Sequence, residues 1–271
     1  MTLLTNFHAH STFCDGTETP EDMVRAAIGK GCAAFGISGH APMAFDTDWC
    51  MTAAGERDFV REMDRLKAVY GGRLTLMTGV ERDYYSPEPA GVYDYVIGSV
   101  HYIKKDGAML TVDESEDAQR RDAARYYAGD FYTYARDYFR TVAGVAPATK
   151  PDFIGHFDLV AKFNDGGRLF DEADPRYTGP ALEALAAVAE TCGLFEINTG
   201  AMYRVGRSVP YPAPFLLRAL RERGGEIILS SDSHDGASIG YRFAEAAELA
   251  KACGFEYAKT LTPSGAETYK L

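Results

Sequence analysis

Short runs of β-branched and aromatic residues alternate with longer amphipathic stretches along this chain. That alternation restricts it to a layered α/β architecture with a mostly parallel sheet. Strands are expected near Leu3–Phe7, Ala34–Ser38, Leu74–Val80, Tyr95–Val100, Asp152–Gly155, Leu194–Ile197 and Glu226–Ser230, with a weaker one at Phe255–Leu261. Their apolar character suits strands covered on both faces. The clearest helix opens at Thr19 as N-cap, with Pro20 in the first position and Glu21 and Asp22 in the first turn. Met23, Ala26, Ala27 and Lys30 then share a face, and Gly31 supplies the stop. Further helices are expected over about Ala54–Tyr70, Gly179–Cys192, Ala213–Arg223 and Ala237–Cys253.

Seven or eight such units in 271 residues fit a closed barrel better than an open doubly wound sheet. No G-x-G-x-x-G follows the first strand, which weakens a dinucleotide-binding alternative. Neither an internal repeat nor a low-complexity linker is present, so a single domain over residues 1–271 is expected. It carries a polar, Tyr-rich insertion at about 103–150. A stretch that long seldom stays a bare loop, and its Asp117–Arg140 portion reads as helical.

No apolar run is long enough for a transmembrane helix, and the N-terminus lacks the basic and apolar regions of a signal peptide. Five scattered cysteines (Cys14, Cys32, Cys50, Cys192, Cys253) form no C-x-x-C pair, as expected for free thiols in a reducing cytoplasm. Cys14 reads as packing. The formal net charge of −11 repels nucleic-acid phosphates. The same charge works against a small phosphorylated substrate, although bound divalent ions reverse the field within a site.

The six histidines carry the functional signal. His8 and His10 end the first expected strand, His40 the second, His101 the fourth, His156 the fifth and His234 the seventh. In a βα barrel those ends share one face, which carries the active site. Glu81 ends the third strand, Asp232 the seventh, and Asp15 follows the first. Side chains two apart on an extended strand share a face, so His8 with His10, and Asp232 with His234, can each reach one ion. A lone histidine at a strand end is usually a hydrogen-bonded structural residue. That explanation would have to hold six times, with three carboxylates at the same mouth and no Lys or Arg adjacent in sequence to His8, His10, Asp15 or Asp232. Buried carboxylates without cations are costly, and divalent metals are their natural compensation.

These motifs resemble the PHP (polymerase and histidinol phosphatase) superfamily. The opening is His8-Ala9-His10-Ser11 with Asp15-Gly16. Ser-Gly-His40, Gly-Val-Glu81, Gly-Ser-Val-His101, Gly-His156-Phe-Asp and Ser-Asp232-Ser-His234 follow in family order. The Gly-Ser-Val-His-Tyr and Glu196-Ile-Asn-Thr blocks point to the histidinol-phosphate phosphatase branch. The resemblance implies a TIM-like, distorted (β/α)7 barrel holding two to three divalent ions (zinc, iron or manganese). By carry-over, His8, His10, Glu81 and Asp232 would hold the first ion. Glu81 would bridge to a second, completed by His101 and His156. Asp15, His40 and His234 would hold a third; some relatives have a histidine in place of Asp15.

The implied activity is hydrolysis of a small phosphate monoester, histidinol phosphate foremost, with neither nucleic acid nor membrane as partner. Three ions would bring about +6 against −3 from Asp15, Glu81 and Asp232, leaving a surplus for a phosphate and a hydroxide. Glu81 and Asp232 are the expected catalytic carboxylates. Protonation of the leaving group falls to a water within the site or to His234. Arg204 is the first candidate for a phosphate contact and Lys162 the second; Arg207 and Ser99 are further candidates. Other readings are a PHP phosphoesterase of different specificity, a non-catalytic PHP binding module, and an amidohydrolase-type barrel. The last usually bridges its metals with a lysine, where this chain has Glu81.

Overall fold

The computed structural model describes residues 4–271. Leu3, the first residue of the first expected strand, lies outside the described residues. The elements begin with β1 (Thr5–Asn6), α1 (Pro20–Gly29), β2 (Ala34–Ile37), α2 (Ala53–Tyr70), β3 (Thr75–Asp83) and β4 (Tyr95–Ser99). The insertion contributes β5 (Tyr102–Lys105), β6 (Ala108–Thr111), α3 (Glu116–Tyr127), α4 (Phe131–Val142) and α5 (Val145–Thr149). The chain then continues through β7 (Phe153–Ile154), α6 (Pro175–Ala189), β8 (Leu194–Asn198), α7 (Gly200–Arg204), α8 (Pro214–Glu222) and β9 (Glu226–Ser230). It ends with α9 (Phe243–Ala252), β10 (Tyr257–Thr262) and β11 (Gly265–Lys270).

Seven parallel strands stand side by side in the order β1-β2-β3-β4-β7-β8-β9. The sheet curls until the segment after β9 meets the segment after β1. There His10 N donates to Ser233 O at 2.7 Å, and Ser233 N to His8 O at 3.1 Å. The barrel is therefore α/β and TIM-like, with every β1–β9 parallel strand pointing the same way. β10 joins β9 through one parallel pair, Lys259 with Ile228, and turns back as the antiparallel β11. Leu261 of β10 packs with Phe7, Met77, Ile97, Phe153 and Ile228 in the barrel interior.

Helices cover the outside. Met23 of α1 and Phe59 and Met63 of α2 pack on Phe35 and Ile37 of β2. Phe139 of α4, Leu185 of α6, Leu217 of α8 and Ala247 of α9 pack with Phe195 and Leu229. Thr19 caps α1 by accepting from Asp22 N at 3.2 Å. Among the described residues no helix is long and apolar enough to cross a membrane.

The insertion departs from expectation. It opens with a β-hairpin, because Asp106-Gly107 adopts φ of 48° and 83°, the conformation of a two-residue hairpin turn. The expected helical stretch Asp117–Arg140 is split, since Ala128 and Gly129 adopt φ of 52° and 82° and Asp130 caps a new helix. Two other boundaries also move. α6 starts at Pro175 behind its Asp174 cap, not at Gly179. α9 starts at Phe243, because Gly240 and Arg242 at positive φ cannot continue a helix from Ala237.

Tyr95 ties the barrel floor together. Its hydroxyl donates to Phe7 O at 2.6 Å, and its ring fills the space left by Gly36 and Gly79 on two neighbouring strands. A Cβ at either glycine would come within 2.2 Å and 2.1 Å of that ring or hydroxyl. Gly79→Ala should therefore displace Tyr95 and cost at least about 1–3 kcal/mol through overpacking. Tyr95→Phe should cost about 1–3 kcal/mol by leaving Phe7 O without its donor. Thermal unfolding checks both; a wild-type midpoint for Gly79→Ala would contradict this packing.

Candidate metal centre

Glu81 lies inside β3, two residues before its end, and both of its carboxylate oxygens face imidazoles. Oε2 is 3.2 Å from His8 Nε2, 3.6 Å from His10 Nε2 and 2.9 Å from His40 Nδ1. Oε1 is 2.9 Å from His156 Nε2 and 3.4 Å from His101 Nε2. Asp232 Oδ1 lies 3.2 Å from His10 Nε2 and 3.5 Å from His8 Nε2. His8 and His10, two apart after β1, do face the same interior, with ring centroids 5.2 Å apart.

A third group gathers around Asp15. Its Oδ1 is 3.5 Å from both His10 Nδ1 and His40 Nε2, and its Oδ2 is 3.0 Å from His234 Nε2. The structure thus brings all nine ligand candidates into one cluster, in four overlapping sets of atoms spaced within 4.8 Å. The sets overlap more than the family carry-over implies. His10 faces Asp232 with one nitrogen and Asp15 with the other, and His40 reaches Glu81 as well as Asp15.

The donor set fits divalent cations. His8 Nε2, His10 Nε2 and Glu81 Oε2 are buried, converge on one point, and make no hydrogen bond. Each such orphaned buried group would cost about 1–3 kcal/mol without a partner. Imidazole nitrogens mixed with carboxylate oxygens suit zinc, iron or manganese.

In the protein alone, protons supply part of the missing positive charge. Burial disfavours the imidazolium of His8, yet Glu196, Asp232 and Glu81 push it well above the ordinary value. Burial is likewise overcome at His40, raised to about 9 by Glu81 and Asp15. His10 goes the other way: burial, with His234 and His40 alongside, lowers it to about 3. Burial also opposes the charges of Glu81, Asp15 and Asp232. Nearby cationic groups, foremost His8 for Glu81, His40 for Asp15 and Arg204 for Asp232, hold all three carboxyls well below the usual range. Metal binding would displace such protons.

Sequence reasoning missed the carboxylates behind the cluster. Glu196 of β8 accepts from His8 Nδ1 at 2.8 Å and His156 N at 2.6 Å, and also takes Asn198 Nδ2 and Ser230 Oγ. With Nδ1 donating to Glu196, His8 would present Nε2 as a lone pair once an ion displaces its proton. Asp83, two residues beyond Glu81, holds His101 through N at 2.7 Å and Nδ1 at 3.2 Å. The signal for both was available: a charged residue inside an otherwise apolar strand, and the i, i+2 spacing from Glu81. Cys14 is not packing alone, since its Sγ sits 3.5 Å from His10 Nδ1; burial pushes its thiol up to about 12, so it remains protonated.

A cavity of about 480 Å³ opens over the cluster. Arg204 and Lys162 line it, as does a rim of Asp46, Asp48, Trp49, Tyr102, Asp113 and Glu114. Arg204, from α7, donates to Asp232 Oδ2 at 2.7 Å. Asp232 itself adopts φ 45°, and a Cβ at Gly200 would lie 2.8 Å from its Cβ, so only glycine lets α7 approach this closely. Lys162 pairs with Asp113 at 3.2 Å.

The two further phosphate candidates lie outside the cavity lining. Arg207 is buried, donates to Ala161 O and lies over the Tyr211 ring, away from the cavity. Ser99 is buried against Gly155, where a Cβ would come within 2.3 Å of its hydroxyl, and it does not line the cavity.

The PHP domain model matches residues 6–200. The chain belongs to the PHP domain family. A probable histidinol-phosphatase of Deinococcus radiodurans is 35% identical over 257 residues, covering 91% of this chain and 92% of that protein. The crystal structure of a putative histidinol phosphatase from Listeria monocytogenes superposes with a TM-score of 0.78 at 22% identity, over 89% of this chain and 99% of that one. Histidinol phosphate phosphatase from Lactococcus lactis, crystallised with Zn, L-histidinol and phosphate, gives 0.73 at 23% identity, over 97% and 98%. These two likenesses establish that the PHP barrel described above is a known fold.

Because Glu196 fixes the orientation of His8, Glu196→Gln should weaken divalent-ion retention by about ten- to a hundredfold while leaving the barrel folded. Competition with a chelator, beside far-UV circular dichroism, measures this. Unchanged retention would mean that Glu196 does not orient a ligand.

Proposed function

We propose that this PHP-family chain is a metal-dependent histidinol-phosphatase, hydrolysing L-histidinol phosphate to L-histidinol and phosphate in histidine biosynthesis. The observation that carries the reading is Glu81, whose two oxygens divide the imidazoles into two groups. The Deinococcus relative, alike over nine-tenths of both chains, supplies the reaction.

His8, His10, Glu81 and Asp232 would hold one ion, Glu81, His101 and His156 a second, and Asp15, His40 and His234 a third. Such ions, when bound, lower the pKa of water towards neutrality and supply charge against the phosphoryl oxygens. The chain's own residues do the rest. Glu196 and Asp83 fix the tautomers of His8 and His101. Arg204 directs Nη2 to Asp232 and Nη1 to the His234 ring, and its remaining guanidinium N–H groups are the donors proposed for a phosphoryl oxygen in the cavity. Lys162 adds a second positive charge, partly neutralised by Asp113. His234, the most exposed imidazole of the cluster, would be the third-ion ligand; protonation of the leaving alkoxide would fall to it or to a water within the site.

Phosphate release tests the reading. With two to three divalent ions per chain, kcat/KM for L-histidinol phosphate should exceed that for p-nitrophenyl phosphate despite the poorer leaving group, and chelation should abolish both. Equal or better turnover of the generic ester would overturn the specificity and leave a metal phosphatase.

Arg204 separates a phosphate site from a general metal hydrolase. A charge-assisted hydrogen bond is worth about 1.5–3 kcal/mol, so Arg204→Ala should lower kcat/KM by about ten- to 150-fold. Arg204→Lys should recover part of the loss, because a point charge cannot reproduce the planar fork. Steady-state kinetics beside metal analysis decide it. A loss matched by lost metal would assign Arg204 to support of Asp232 instead.

A further inference from the structure

The segment between β2 and α2 places Trp49, the chain's single tryptophan, at the cavity over the histidine cluster. Its ring meets His40 edge-on, with centroids 4.4 Å apart, and lies 5.5 Å from His101. The indole N–H is already committed: Nε1 donates to the Tyr102 hydroxyl at 2.8 Å, and that hydroxyl donates to Asp46 Oδ2 at 2.5 Å. This chain, Trp49 to Tyr102 to Asp46, joins the segment after β2 to the hairpin strand β5. It leaves Trp49 nothing to offer a ligand except aromatic surface. The polar atom of Trp49 is satisfied on the protein side while its ring lines the cavity. Asp46 and Asp48, on the same segment as Trp49, line the same cavity and bring two carboxylates to it.

We propose that Trp49 is a specificity-determining residue, its ring forming the wall against which a planar, cationic heterocycle of the phosphate ester stacks. Tyr102 and Asp46 are positioning residues that fix the plane of the ring. This rests on the function proposed above and deepens it. The imidazole of L-histidinol phosphate has the required shape, and protonated it is drawn to both a π-face and nearby carboxylates. The phosphate end of the same molecule meets Arg204 and the histidine cluster, so the cavity reads the two ends with opposite charges. A phosphate ester lacking the ring would fill only the phosphate end.

One tryptophan makes the test direct. L-histidinol added to the metal-loaded protein should change tryptophan emission saturably, whereas ethanolamine, an amine without a ring, should leave it unchanged. Trp49→Leu should lower kcat/KM for L-histidinol phosphate about ten- to thirtyfold more than for glycerol phosphate. Trp49→Phe, which keeps an aromatic face, should restore most of that difference, and Tyr102→Phe should lose part of it through KM. The wall is overturned if L-histidinol inhibits phosphate release without altering emission, or if Trp49→Leu lowers turnover of both esters equally. The activity itself fails differently. If glycerol phosphate is hydrolysed and L-histidinol phosphate is not, the substrate reading is lost, while a saturable emission change with L-histidinol would still support the aromatic wall.

Discussion

A buried carboxylate surrounded by imidazoles governs this molecule. Glu81 is sealed from solvent near the end of β3, and five of the six histidines place a nitrogen within 3.6 Å of it. An isolated charge at that depth is untenable, so the surroundings must supply positive charge. The strand ends do so by delivering their side chains to a common point. The parallel barrel is the architecture that makes such delivery possible, because all its strands terminate on one face. The requirement at Glu81 and the topology of the sheet are two aspects of one constraint.

The layer behind the cluster refines it. Glu196 and Asp83 are further buried carboxylates, each spent on holding an imidazole by the nitrogen that faces away from Glu81 or its neighbours. Asp232 is held by Arg204 at one oxygen and faces His8 and His10 with the other. His8, His101 and Asp232 are thus each fixed from behind, and the remaining polar atom of each has one direction in which to point. Such preorganisation leaves the Nε2 atoms of His8 and His10 unpaired, while His156 and His234 rest against Glu81 and Asp15.

Much of this was legible in the sequence, because strand periodicity and strand-end histidines are local signals. The seven parallel strands and the Thr19-Pro20 helix start depend on neighbouring residues and appear where expected. What escaped depends on distant partners or on backbone sign. Glu196 stands out as a charge inside an apolar strand, but its role was hidden because its partners His8 and Ser230 lie far away in the chain. Ser99 shares a strand with the centre but turns its hydroxyl to Gly155. The Ala128–Gly129 break has no strong composition cue beyond a glycine, so two helices read as one. Trp49 was invisible as a site residue because the segment carrying it has neither periodicity nor a metal-ligand pattern; only the fold sets it beside His40.

The seam where the barrel closes has a consequence for how the protein is made. His8 and His10 belong to the first residues of the barrel, and Asp232 to nearly the last of its parallel strands, yet they meet in one cluster. A ribosome-bound chain holding everything up to β8 still lacks Asp232 and His234, and the segment that closes on His8 and His10. Contacts of such long sequence separation form late, after most of the loop-closure entropy has been spent. Capture of the ions that would use Asp232 and His234 therefore acts as a latch on the finished barrel: it rewards chains that have closed the seam and leaves chains ending before it without that part of the stabilisation.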